Sequence, residues 1–249
     1  MPSWSNFRAR VSNRLARHLF AAPMQLRNKQ PMVSFTFDDI PVSAATVGAP
    51  MLEDFGGCGT FYIAGGLVNR STDQGDGIDP DGIVKLRRSG HEIACHTFSH
   101  QRAIDLGATA MATELAQNRR FLEGLDASIK LENFAYPYGL ATVASKRQLT
   151  KSFRSARGIL PGVNSGTIDL QFLRSTPLID KDIDRAGIDR VVDEAVATNG
   201  WLIFYTHDVA DTPSPWGCTP ALLRYALNAA KRRNMPMVSV ADALQRAAG

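Results

Sequence analysis

Two adjacent carboxylates, Asp38 and Asp39, close the run Met32-Val33-Ser34-Phe35-Thr36-Phe37. A run rich in Val and Phe reads as a strand that seeks burial. Ionised carboxylates lose much of their hydration on leaving water, so a buried strand that ends on two of them calls for a nearby cation. A second apolar run leads into His96-Thr97-Phe98-Ser99-His100, with two imidazoles four residues apart. A helical turn after His96 would put both rings on one side. Two histidines and one carboxylate make a facial set that leaves metal positions open for water and substrate. The two aspartates would then divide the work. One binds the cation; the other takes a proton from a water whose pKa a divalent ion lowers toward roughly 7. Tyr138 and His207 stand at the ends of further apolar runs.

Bringing these residues together requires strands whose ends share a face. The pattern predicts strands near 32–39, 58–64, 91–96, 134–139, 153–156, 172–178, 201–205 and 237–240. Between them it predicts helices near 42–55, 81–89, 108–125, 141–150, 189–199, 220–233 and 241–247. Asp79 or Asp81 would cap the helix that Gly90 closes. Strands alternating with helices indicate an α/β architecture with a parallel sheet. In a barrel of parallel strands the strand ends lie on one face, where active sites are built. No Gly-x-Gly-x-x-Gly follows the first strand and no Walker-type lysine motif occurs, so nucleotide-binding folds lose support.

A length of 249 residues suits one large domain or two small ones, and 44% hydrophobic residues suffice for a substantial core. The formal charge of +4 gathers near the N-terminus, at Arg8, Arg10, Arg14 and Arg17. It does not form the long basic stripe of a nucleic-acid binder, so no nucleic-acid partner is expected. Residues 1–30 read as a basic arm, with Phe7, Val11, Leu15, Leu19 and Phe20 at roughly helical spacing. A helix packed on the domain surface is the favoured reading; weak contact with an anionic membrane surface is the alternative. Cys58, Cys95 and Cys218 are odd in number and lack metal-site spacing, so they describe no disulfide framework. A reducing, cytoplasmic setting is expected, since no apolar run can span a bilayer and no long apolar stretch follows the arginines. His18 and His91 read as ordinary polar residues.

Four segments carry a resemblance. Thr36-Phe37-Asp38-Asp39, His96-Thr97-Phe98-Ser99-His100, Tyr136-Pro137-Tyr138-Gly139 and Tyr205-Thr206-His207-Asp208 occur in the order seen in the polysaccharide deacetylase family. This is the carbohydrate esterase type with the NodB homology domain, and the chain resembles a divergent member from residue 31 to about 245. The resemblance implies a distorted (β/α) barrel of about seven parallel strands, with residues 31–249 as catalytic domain behind the 1–30 arm. It implies a carbohydrate substrate and metal-dependent removal of an acyl group, acetyl first among them, from an N-acylated sugar of a polysaccharide, oligosaccharide or glycolipid. Asp39, His96 and His100 would be the metal ligands, with Zn2+ the commonest ion. Asp38 would be the general base, His207 the general acid, and the Tyr138 main-chain N–H beside Pro137 the oxyanion donor. Asp180 is a candidate partner for His207.

Several positions depart from the family pattern. Ala135 stands where an arginine commonly orients the base, and Arg174 is expected to supply that charge from another strand. Tyr205 replaces the usual leucine that lines the acyl pocket, Ile40 replaces a glycine, and an Asp-x-x-Asp-Trp motif is absent. Trp216, on the loop after His207, reads equally as a sugar-stacking platform or as ordinary packing. Two other functions stay open: hydrolysis of another non-peptide carbon–nitrogen bond, such as a formamido sugar or cyclic amide, and a catalytically silent glycan-binding domain. The oligomeric state is unknown from the sequence.

Overall fold

Met32 to Asp38 form β2, buried along its whole length. That is the environment of a central strand covered on both faces. The computed structural model describes residues 12–249, beginning with α1 at residues 12–18; the part of the basic arm before residue 12, including Phe7 and Val11, lies outside the described residues. The other strands are β1 (Pro23–Gln25), β3 (Thr60–Ile63), β4 (Ser71–Thr72), β5 (Gly75–Asp76), β6 (Glu92–Cys95), β7 (Asn133–Ala135), β8 (Ser155–Arg157), β9 (Thr167–Asp169), β10 (Thr176–Pro177) and β11 (Trp201–Thr206). The helices that follow are α2 (Ala49–Asp54), α3 (Pro80–Arg88), α4 (Ala108–Leu125), α5 (Val143–Leu149), α6 (Arg185–Ala197), α7 (Pro220–Arg232) and α8 (Val240–Ala248).

Seven strands form one sheet in the order β10-β11-β2-β3-β6-β7-β8. All six ladders are parallel. Residues 170–177 bring the ends of this sheet toward each other. Leu173 makes a parallel bridge to Arg157 of β8, and Thr176 and Pro177 pair with β11. The result is the distorted barrel expected, open in its regular pairing between β8 and β10.

Side-chain alternation gives the strands two faces. Val33, Phe35 and Phe37 join Phe61, Leu52 and Leu223 in the core under the outer helices. The opposite face is polar at its lower level. Thr60 donates to Glu92 at 2.8 Å, Asn133 donates to the same carboxylate at 2.6 Å, and Ser155 donates to Asn133 at 2.7 Å. This belt crosses four neighbouring strands, and α8 closes the barrel bottom through Val240, Ala243, Leu244 and Ala247, which cluster with Met32, Trp201 and Ile203.

Three local expectations are corrected. The helix at 42–55 is a π-helical turn at Ala44–Gly48 that runs into α2. Helix α6 starts at Arg185 because Asp184 caps it, accepting from the Gly187 N–H at 2.7 Å. Met237–Val240 is not a strand: Met237 makes a single bridge to Val33, and Ser239 already caps α8. The described part of the arm is tied to the barrel. β1 pairs antiparallel with β9, and the buried Lys146 donates to the carbonyls of Ala16 and Leu19, both at 2.6 Å. No helix among the described residues is long and apolar enough to cross a membrane.

Candidate active site

The carboxyl ends of β2, β6 and β11 lead directly into Asp39, His96 and His207. Backbone strain marks this face. Asp39, Ile40, Thr97, His100 and Tyr138 all have positive φ, between 56° and 61°. Side chains other than glycine, asparagine or aspartate rarely adopt that conformation, and it costs of order 1–3 kcal/mol per residue. Among the described residues, the three other non-glycine residues with positive φ are Asn69, Asn199 and Asn234, a type that tolerates it.

The histidine pair does not sit on a helical turn. Thr97 and His100 are left-handed, and the loop between them is pinned by Glu114 of α4. One Glu114 oxygen accepts from the N–H groups of Phe98 and Ser99 at 2.9 and 2.8 Å, and the other from the Ser99 hydroxyl at 2.6 Å. The rings of His96 and His100 then lie 5.0 Å apart. Each points its Nε2 at the same oxygen, Oδ1 of Asp39, at 3.5 Å for His96 and 3.0 Å for His100.

His96 donates its Nδ1–H to the Ala135 carbonyl at 2.8 Å, which fixes the tautomer and leaves the Nε2 lone pair facing the site. Burial pushes its pKa down to about 4, so the ring is neutral and able to ligate at pH 7. Burial alone would raise the Asp39 pKa; the close Nε2 of His100 holds the carboxyl well below the usual range instead. Asp39 Oδ1 is buried and takes no aligned hydrogen bond despite the close nitrogens. An orphaned anionic oxygen between two imidazole nitrogens, all within 4.8 Å of one another, fits a metal ion.

Asp38 is held separately. Arg157 Nη2, from β8, lies 2.5 Å from each of its carboxylate oxygens. The guanidinium is fully buried and sandwiched by Tyr62 and Tyr205, with ring centroids 5.0 and 5.2 Å away. This corrects the expectation for Arg174, which is exposed and donates to the Pro161 carbonyl. A lone charged residue inside the short run Ser155-Ala156-Arg157 was the available signal.

His207 donates its Nδ1–H to the Trp216 carbonyl at 3.0 Å and keeps Nε2 3.9 Å from Asp39 Oδ2. Asp180 is not its partner: that carboxylate accepts from the Thr219 N–H at 2.8 Å, at the head of α7. Tyr138 follows the buried Pro137, and its ring lies tilted by 42° against that of His100, with centroids 4.7 Å apart. No acceptor among the described residues takes its N–H. The Trp216 ring is half-exposed, with Lys181 Nζ 4.0 Å from its centroid. Gln74 was missed by the sequence reading; it donates to Asp39 Oδ2 at 3.0 Å.

The chain is 29% identical over 114 residues to a chitin deacetylase of Colletotrichum lindemuthianum, covering 45% of this chain and 42% of that protein. It is 26% identical over 110 residues to a bifunctional xylanase/deacetylase of Pseudobutyrivibrio xylanivorans, covering 44% of this chain and 17% of the relative. The matched segment thus spans less than half of either relative's length. Among solved structures, the Xyl-CE4 domain of a multidomain xylanase from the hindgut metagenome of Trinervitermes trinervoides has the same fold. Its TM-score is 0.59 at 18% identity, over 88% of this chain and 92% of that one. The family model for polysaccharide deacetylases matches residues 25–153, a stretch that runs through both the aspartate pair and the histidine pair, and the chain belongs to that family.

Proposed function

We propose that this protein is a divalent-metal-dependent hydrolase that removes an acyl group, acetyl first among them, from an N-acylated sugar of a polysaccharide, oligosaccharide or glycolipid. One observation carries the reading: the Nε2 atoms of His96 and His100 converge on an orphaned Asp39 oxygen beside a second, separately held carboxylate. Asp39, His96 and His100 would hold the cation, and their two nitrogens and one oxygen suit Zn2+. A cation there supplies Lewis acidity to the acyl carbonyl and makes a water acidic near neutral pH.

The remaining steps fall to the chain's own groups. Asp38, oriented by Arg157, takes the proton from water as the water oxygen bonds to the acyl carbon. The Tyr138 N–H donates to the developing oxyanion, a bond strongest in the transition state. His207 in its protonated form gives its Nε2 proton to the sugar nitrogen as the carbon–nitrogen bond breaks, so a carboxylic acid and a neutral amine leave, and the proton held by Asp38 returns to His207 through solvent. Without that proton the amine is a poor leaving group. Tyr205 lines the acyl side, and Trp216 offers a face for a sugar ring.

Acetate release from a panel of N-acetylated glycans, before and after chelation, tests this. Release that stops on chelation and returns with Zn2+ supports it. Glycan binding without release at any metal concentration would favour the silent binding domain. A separate surface supports the membrane alternative: Leu15, Leu19 and Phe20 are exposed beside Arg14, and the first acidic residue of the chain is Asp38. Co-sedimentation with anionic vesicles, absent with neutral ones, is the expected result.

A further inference from the structure

Asp39 has two oxygens with different surroundings. Oδ1 faces the nitrogens of His96 and His100. Oδ2 accepts from the Gln74 amide at 3.0 Å. Gln74 lies at the tip of the hairpin formed by β4 and β5, where Ser71 pairs with Asp76 and Thr72 with Gly75. The tip is held locally, since the Thr72 hydroxyl accepts from the Gln74 N–H and donates to the Gly75 carbonyl, both at 3.2 Å.

The base of this hairpin is tied to the backbone beside Asp39. Gly77 bridges Pro41, and the Ile78 N–H donates to the Ile40 carbonyl at 3.1 Å. Gly77 also donates to the Arg70 carbonyl at 2.7 Å. A Cβ on Gly77 would come within 2.4 Å of the Leu67 carbonyl oxygen, so the base admits no side chain there. Ile40 is itself left-handed and buried. The segment that delivers Gln74 is therefore referenced to the two residues that follow Asp39, not to a distant part of the surface. The amide oxygen of Gln74 is buried and without a partner. The amide is directed by its donor end: turning it over would set its oxygen against a carboxylate.

We infer that Gln74 is a positioning residue for Asp39: by occupying Oδ2 it leaves Oδ1 as the one carboxylate oxygen offered to the cation. This rests on the metal-site reading above. A carboxylate free to rotate can chelate through both oxygens and take up a position otherwise open to water or substrate. Hydrogen bonds to ligating groups set their orientation, and their loss typically lowers metal affinity about 10–100-fold.

The test uses the full chain and Gln74→Met, which keeps the length of the side chain and removes the donor. Zn2+ affinity by chelator competition should fall about 10–100-fold, at unchanged saturating stoichiometry. The melting temperature of the metal-free protein should stay the same. The visible absorption of the Co2+-loaded protein should weaken, because a second carboxylate oxygen raises the coordination number; a purely structural role would not move that band. Wild-type affinity and an unchanged Co2+ spectrum in Gln74→Met, with binding abolished in His100→Ala, would overturn the role of Gln74 and leave the metal site standing. A wild-type protein that binds neither ion would overturn both.

Discussion

Asp38 and Asp39 are neighbours in the chain with different partners. Asp39 leaves the strand in a left-handed conformation and meets the histidines, whereas Asp38 keeps the strand geometry and meets Arg157. Asp38→Asn should therefore retain Zn2+ binding while turnover falls about 10²–10⁴-fold, read as kcat alongside metal content. Arg157→Met should cost about 3–5 kcal/mol in urea unfolding, because it leaves the Asp38 carboxylate buried and unpaired. His91 is a third test at this scale. It is fully buried, its Nδ1 accepts from the Gly59 N–H at 3.0 Å, and its Nε2 donates to Glu53 at 3.0 Å. Burial lowers its pKa from 6.5, outweighing the opposing pull of Glu53. The unfolded chain then binds the proton more readily, so this contribution to stability is complete above pH 6.5 and is lost as pH falls below it. In His91→Asn the slope of stability against pH just below 6.5 should flatten, measured by denaturant titration at several pH values.

At the scale of elements, most of what positions the site was legible in the sequence. Apolar runs ending on Asp38, His96 and His207 announced strands with chemistry at their ends, because strand period and burial both leave a pattern. Three features were hidden for identifiable reasons. The His100 loop depends on Glu114, whose long-range carboxylate contact replaces the helical turn that the His spacing suggested. Arg157 reaches Asp38 across 119 residues of sequence, a separation no local periodicity encodes. Asp180 lay near the right stretch, but its carboxylate was committed to the start of α7. A helix packed on the domain surface was expected for the arm, but not the contacts that hold it. Lys146 of α5 is buried, forms an ion pair with Asp169 and holds two carbonyls of residues 12–19. Asp169 in turn accepts from the Ala22 N–H at 3.0 Å. Lys146→Ala leaves that carboxylate buried without its cation, so a loss of about 3–5 kcal/mol is expected. Limited proteolysis should then cut first between residues 12 and 22.

For the whole molecule, the barrel separates two kinds of polar chemistry. At the bottom, Thr60, Glu92, Asn133 and Ser155 satisfy one another in a closed belt. Such a network stiffens a core when its members are paired. At the top, Asp39 Oδ1 and the Gln74 amide oxygen are buried and unpaired. Buried polar atoms without partners at this face are what a bound cation or substrate would satisfy. The measurement that bears most directly on this is Zn2+ content after loading and desalting, for the wild type, Asp39→Ala and His100→Ala, each checked for folding by circular dichroism. The expected result is about one equivalent in the wild type and little in either folded variant. Full loading of both variants, or none in the wild type, would contradict the convergence of Asp39, His96 and His100 on a single cation.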